Sequence, residues 1–122
     1  MKSLFMALIV MMLSLVIVSP ALAQAEDVCP NHDTATIQAL SQCVQHASTQ
    51  DIINNPGITK SLLAKLDAAQ AADDQGRPAV AVNILQAFAN EVQAQAGKHI
   101  VPAVHAEHLL QHTQLVIGAL GG

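Results

Sequence analysis

From Asp33 onward, apolar residues recur at helical spacing, and the alternation typical of β-strands does not occur. The first apolar stripe advances in steps of three and four residues and consists of Ile37, Leu40, Val44 and Ala47. Residues with this spacing lie on one face of an α-helix. Asp33 is a suitable N-cap, so we predict a first helix that starts at Thr34 and ends at about Ala47.

Three further stripes follow, and prolines and glycines mark their limits. Asn55 can cap the second helix, since a proline directly after it suits the first helical position. Pro56, Pro78 and Pro102 are predicted to open the second, third and fourth helices. Gly76 and Gly97 are predicted to end the second and third. The predicted inward-facing residues are Ile58, Leu62, Leu66, Ala69 and Ala72, then Ala81, Ile84, Leu85, Phe88 and Val92, and finally Leu109, Leu110, Val116, Ile117 and Leu120.

Four helices joined by short loops predict an all-α fold, an antiparallel up-down four-helix bundle. We assign it to a single domain, residues 26–122. Its predicted core is aliphatic apart from Phe88, and a core of this size gives modest stability.

The N-terminus has the layout of a secretory signal peptide, which we assign to residues 1–25. Lys2 precedes an apolar run of about 15 residues, and Pro20 and small residues follow it. The run is shorter than the roughly 20 residues of a membrane-spanning helix. We expect cleavage after Ala23 or Ala25, export to the periplasm or the extracellular space, and no membrane attachment thereafter.

Composition excludes one large class of partner. The chain has five Lys and Arg against nine Asp and Glu, a net charge of −4. Without Lys2 the predicted mature chain keeps four positive side chains, it has no basic cluster, and it contains neither Trp nor Tyr. Binding to nucleic acid needs such cations and aromatic surfaces, so we expect none.

The two cysteines, Cys29 and Cys43, form an even pair in a chain predicted to be exported. This favours one structural disulfide over a redox site, because no C-x-x-C motif occurs. The bond would tie the segment 29–32 back along the first helix, and chain-entropy estimates give it about 3 kcal/mol for a loop of this length.

An ordered set of short motifs resembles a known family. They are Gly57-Ile58, Ser61-Leu62, Lys65-Leu66, Gly76, Ala81, Leu85-Gln86-Ala87-Phe88, Val92, Ala94-Gln95, Gly97-Lys98, Ile100, Ala106, Leu109 and Leu110. Together they resemble the FIMAH domain, a small module of secreted bacterial proteins, over residues of about 57–120. Ala89 departs from the β-branched residue that often follows the Phe in this family. The resemblance implies an accessory module and supplies no catalytic residue.

Histidine is the unusual chemical feature, with six residues in a chain of low charge. His105, His108 and His112 share one side of the fourth helix, since they follow one another at steps of three and four. In an up-down bundle, His46 and His99 would join them near one end.

Three interpretations of this histidine group stay open. The residues can be half-buried boundary residues, a pH sensor, or ligands for Zn²⁺, Cu²⁺ or Ni²⁺. A metal site would draw on His46, His99, His105, His108 and His112. The segment His108–His112 lacks the Glu of the H-E-x-x-H motif.

The inventory therefore favours a non-catalytic function without a cofactor. We expect an exported interaction module that binds an unknown protein partner or a second copy of itself. The predicted contact surface is the seam between the third and fourth helices, near Phe88 and Val92. The alternative is a periplasmic metal-binding protein that uses the histidine group.

Overall fold

The computed structural model describes residue 29 and residues 31–122, and in this part of the chain it contains four α-helices and no strand. We label them α1 (Ile37–Thr49), α2 (Pro56–Asp74), α3 (Pro78–Gly97) and α4 (Ala103–Ala119). The predicted signal peptide and its cleavage site lie outside the described residues. No helix among the described residues is both long and apolar enough to cross a membrane.

The helices form a ring in which each packs on its neighbour in sequence and α4 closes against α1. Because the loops are short, consecutive helices run in opposite directions. The predicted all-α, up-down four-helix bundle is therefore confirmed. One ion pair, with 2.5 Å between Lys65 Nζ and a Glu91 carboxylate oxygen, joins α2 to α3.

The start of α2 follows the sequence prediction, whereas the start of α1 does not. The backbone N–H of Ile58 donates to Asn55 Oδ1 at 3.1 Å, so Asn55 caps α2. The prediction that Asp33 caps α1 is wrong: Thr36 is the cap, and its Oγ1 accepts from the N–H of Ala39 at 3.1 Å. The residues before it instead form turns, in which the N–H of Thr34 donates to the carbonyl of Asn31 and the N–H of Thr36 donates to the carbonyl of Thr34.

All four helices end with a residue in the left-handed conformation. Gly76 takes this role after α2, as predicted, with a φ of 71°. After α3 the left-handed residue is His99, at 59°, and Gly97 is the last helical residue. Asp51 occupies the same position after α1, at 56°, and Gly121 occupies it after α4, at 88°. In each case the next N–H bonds back to a carbonyl in the last turn, the Schellman arrangement.

The core contains most of the predicted apolar stripes. Phe88 is completely buried and is the largest residue of the core, which otherwise consists of aliphatic residues and Cys43. Ile58, Ile84, Leu110 and Leu120 are only partly buried and pack against its edge. Two polar residues of α4, His112 and Thr113, are buried as well. The Thr113 hydroxyl donates to the Leu109 carbonyl at 2.6 Å, but His112 bonds outside its own helix.

Candidate functional site

The candidate site begins at the predicted disulfide, which is present between Cys29 and Cys43. Cys43 is buried in α1, and Cys29 precedes the helices and is half-buried. The Asn31 side-chain amide donates to Gln42 Oε1 at 3.0 Å. The segment before α1 therefore lies back along that helix, as the sequence predicted.

His112 of α4 lies against this disulfide and is 2% exposed. Its Nε2–H donates to the carbonyl oxygen of Thr34 at 2.7 Å, across the seam between α4 and the segment before α1. Because a carbonyl only accepts, this bond places the proton of a neutral imidazole on Nε2. The lone pair of Nδ1 then faces Cys43 Sγ, 3.5 Å away.

A groove of about 340 Å³ opens beside His112 on the outer face of this seam. It is lined by His32, Asp33, His108, Gln111, His112 and Leu115. The Leu115 side chain is 52% exposed, one of the few large apolar side chains of the described residues that face water to this extent. The groove thus combines an apolar side chain with imidazole, carboxylate and amide groups.

The histidine group that the sequence singled out is divided between different environments. The rings of His105 and His108 lie edge to face on α4, with 6.4 Å between their centres. His99 is exposed at the end of α3, and His46 is half-buried on α1. Among the five, His112 lies against the disulfide.

This division bears directly on the predicted metal site. Among the described residues, one group of three side chains brings potential metal-binding atoms within 4.8 Å of one another: Cys29, Cys43 and His112. The structure does not bring together three of the five predicted histidines at such distances. A metal site that draws on these five histidines therefore gains no support from the structure and stays a prediction.

The predicted interaction surface also needs correction. Phe88 and Val92 have no exposed surface, because both point into the centre of the four-helix ring. Their apolar stripe belongs to the core, so a partner cannot contact these side chains in the folded protein.

Comparison with known proteins decides the family. The profile of the FIMAH domain matches residues 37–118, well over half of the chain. The chain belongs to the FIMAH domain family. No curated protein and no solved structure matches the chain significantly.

The extent of the match changes the predicted limits of the FIMAH domain. The sequence motifs placed its start at about residue 57, after the first helix. The match begins at residue 37, the first residue of α1, and ends within α4. All four helices therefore belong to the FIMAH domain, and the disulfide ties the segment before it to its first helix.

Sequence reasoning missed three participants of the site. The carbonyl of Thr34 is a backbone group that every residue type has, so the sequence does not indicate its role. Gln111 and Leu115 lie outside the apolar stripe of α4 and line the groove. The position of residues 29–34 could have been predicted. The disulfide holds this segment against α1, and α4 packs on α1, so the segment lies at the histidine side of α4.

Proposed function

We propose that this FIMAH domain is an exported, non-catalytic module that binds a protein partner or a second copy of itself. The family match over all four helices carries the proposal, because membership of this family implies an accessory module. A module of this kind acts through its surface.

The groove between α4 and the segment before α1 is the contact surface we propose. Leu115 supplies an exposed apolar centre, and His32, Asp33 and Gln111 supply polar groups around it. Protein interfaces have this composition, with an apolar core and a polar rim. The groove can accept an apolar side chain of the partner, while the rim bonds its neighbouring backbone.

The absence of catalysis is part of the proposal, and the state of the cysteines supports it. Cys29 and Cys43, the sulfur nucleophiles nearest the groove, are bonded to each other. The imidazole of His112 is held by the carbonyl of Thr34 rather than by a carboxylate. The hydrogen-bond partner of His112 therefore differs from that of the histidine in a hydrolase triad, which an orienting carboxylate holds beside a nucleophile.

Export is supported by the N-terminal pattern and by the disulfide. Disulfides form and persist in oxidising compartments and are rare in the cytosol. Production with the natural N-terminal segment tests this point. The mass of the exported protein should correspond to a start at Gln24 or Glu26 and to two cysteines in the oxidised form. A cytosolic product of full length with free thiols would contradict export.

Site-specific photocrosslinking in the producing cells tests the contact surface. A photoreactive residue at position 115 should give an adduct with one defined protein, or an adduct of twice the chain's mass if the module binds itself. Val104 is 60% exposed on the same helix and does not line the groove, so position 104 is the matched control. Equal labelling from positions 104 and 115 would contradict the proposal.

A further inference from the structure

The disulfide and His112 form more than a structural bridge, because they place three metal-binding atoms together. Both cysteine sulfurs and one imidazole nitrogen lie within 4.8 Å of one another. Sulfur and imidazole nitrogen are the preferred ligands of Zn²⁺. We propose that the reduced form of this domain binds one Zn²⁺ through Cys29, Cys43 and His112, and that formation of the disulfide releases the ion.

The distance between Cys43 and His112 already suits a zinc site. With Zn–S of about 2.3 Å and Zn–N of about 2.0 Å, the sulfur and nitrogen of a tetrahedral site lie about 3.5 Å apart. Cys43 Sγ and His112 Nδ1 are separated by 3.5 Å. Both residues are on packed helices, α1 and α4, so this edge of the site exists before any ion binds.

The orientation of the imidazole is also set in advance. A histidine that binds a metal generally donates its other ring N–H to a carbonyl or carboxylate, which fixes the tautomer and the ring plane. His112 does so through Nε2–H to the Thr34 carbonyl, at 2.7 Å. Its Nδ1, which carries the lone pair, is thereby held on the side of Cys43. In the oxidised protein this nitrogen faces a sulfur that carries no proton to donate.

Cys29 is the ligand that has to move. Two sulfurs of a tetrahedral zinc site are about 3.8 Å apart, as the Zn–S distance requires, so the bonded pair must separate. Cys29 lies outside the helices and is half-buried, and rotation of its side chain can open this space without displacing α1. His112 also lines the groove, from which a water molecule can reach the fourth position.

The redox step is an exchange with a dithiol. Two electrons and two protons pass from the dithiol to the Cys29–Cys43 bond, which breaks to give two thiols, while the dithiol closes to its own disulfide. Zn²⁺ then displaces both thiol protons, which are released to water, and binds the two thiolates and the neutral imidazole. In the reverse exchange a disulfide takes two electrons from the two thiolates and two protons from water, which gives a dithiol and reforms the Cys29–Cys43 bond. His112 is then left as a single ligand, too few to retain the ion.

Native mass spectrometry of the protein in its two redox forms tests this proposal. The protein is produced with its own N-terminal segment, and one sample is reduced with a phosphine that is removed without air. Both samples then receive Zn²⁺ and are desalted. The reduced protein should retain one zinc ion and the oxidised protein none. Co²⁺ in place of Zn²⁺ should give the visible absorption of a thiolate-bound tetrahedral ion.

Two histidine variants separate this site from the remaining histidines. In competition with a chelator, His112→Gln should weaken zinc binding at least ten-fold, since even the loss of an outer hydrogen-bond partner costs about that much. His99→Gln is the matched control, because His99 is exposed at the end of α3, and it should bind zinc as the unmodified protein does. Equal affinity of His112→Gln and the unmodified protein would overturn the proposal.

If reduction partly unfolds the protein, circular dichroism still tests the proposal, because it measures whether zinc restores the helices. The reduced protein should gain helical signal and a higher melting temperature when zinc is added, in the unmodified sequence and not in His112→Gln. A reduced protein that zinc neither binds nor refolds would overturn the proposal, as would equal retention of zinc by the oxidised form. The test needs no protein partner, so it can fail without any bearing on the proposed interaction function.

Discussion

At the scale of single residues, His112 links two parts of the chain that lie 78 positions apart, α4 and the turn at Thr34. Its imidazole is buried and bonded on one side to the Thr34 carbonyl. A buried histidine with such a partner contributes to stability whether or not it ever binds a metal.

Replacement of His112 by leucine should therefore destabilise the oxidised protein. The variant loses the bond to the Thr34 carbonyl, and we expect a loss of about 1 kcal/mol in the free energy of unfolding. Urea denaturation with the disulfide intact measures it. His108→Leu on the same helix is the control, since His108 is only half-buried, and its effect should be smaller. Equal effects of the two substitutions would show that the Thr34 bond contributes nothing.

Two left-handed residues offer a prediction of opposite sign. Asp51 and His99 hold φ values of 56° and 59° at helix ends, where a side chain is unfavourable and glycine is not. Asp51→Gly and His99→Gly should each raise the free energy of unfolding by roughly 0.5–1 kcal/mol, because the left-handed conformation costs a non-glycine residue about 1–2 kcal/mol and the greater entropy loss of glycine on folding offsets about 0.5–1 kcal/mol of that gain. Gln50→Gly is the control, because Gln50 has a φ of −90°, and it should not stabilise the protein. Thermal melts of the three variants distinguish these outcomes.

At the scale of secondary-structure elements, local sequence chemistry was enough wherever a helix end depends on its own neighbours. Asn55 followed by proline defined the start of α2, and Gly76 defined the end of that helix. The start of α1 could not be read in this way, because the Thr34 carbonyl is bonded to His112 and the turns of residues 31–36 replace the first predicted turn of helix.

The two candidate caps of α1 can be compared directly. Thr36 Oγ1 accepts the N–H of Ala39, whereas Asp33 is exposed and lies within the turn that precedes the helix. Thr36→Ala should lower the free energy of unfolding by about 1 kcal/mol, the usual effect of losing an N-cap. Asp33→Ala should change it much less. Chemical denaturation of both variants checks the assignment, and a larger effect at Asp33 would restore the cap that the sequence suggested.

The candidate site was predictable only in its components. The sequence identified Cys29, Cys43 and His112, but it assigned the cysteines to a bridge and the histidine to a separate group. Their contact depends on the closure of α4 against α1, which no local pattern contains. The misplaced interaction surface has a related cause. Phe88 and Val92 form an apolar stripe, and a stripe by itself does not distinguish a face that a neighbouring helix covers from one that a partner would cover.

At the scale of the whole molecule, the seam between α1 and α4 closes the helical ring, and it differs from the other seams. It carries the disulfide and the His112–Thr34 bond. The α2–α3 pair relies instead on fully buried Leu62, Leu66, Leu85 and Phe88, with the ion pair of Lys65 and Glu91 at its surface. The cross-link therefore acts at one seam, whereas the buried apolar core extends over all four helices.

Removal of the cross-link should lower the stability of the whole bundle. Cys29 and Cys43 are 14 positions apart, and closing a loop of this size is expected to contribute about 3 kcal/mol. The variant Cys29→Ser, Cys43→Ser, which cannot bind zinc through thiolates, should therefore unfold at a markedly lower urea concentration. Ser41→Ala with Ser48→Ala is a control for substitutions on α1 that leave the bond intact. An unchanged midpoint would mean that the bridge does not constrain the unfolded chain.

The loss should also be uneven across the ring, because the bridge acts at one seam. Without it, residues 31–36 and the first turns of α1 are held by the Thr36 cap, by the His112–Thr34 bond and by the burial of Ile37 and Leu40. We expect amide hydrogen exchange in the metal-free double-serine variant to accelerate first in this region, through local opening that precedes global unfolding. Amides in the middle of α2 and α3 should exchange only through global unfolding. Their exchange rates should therefore all decrease in the same way as the denaturant concentration is lowered. Uniform acceleration in all four helices would instead show that the bundle opens as one cooperative unit and that the α1–α4 seam has no separate stability.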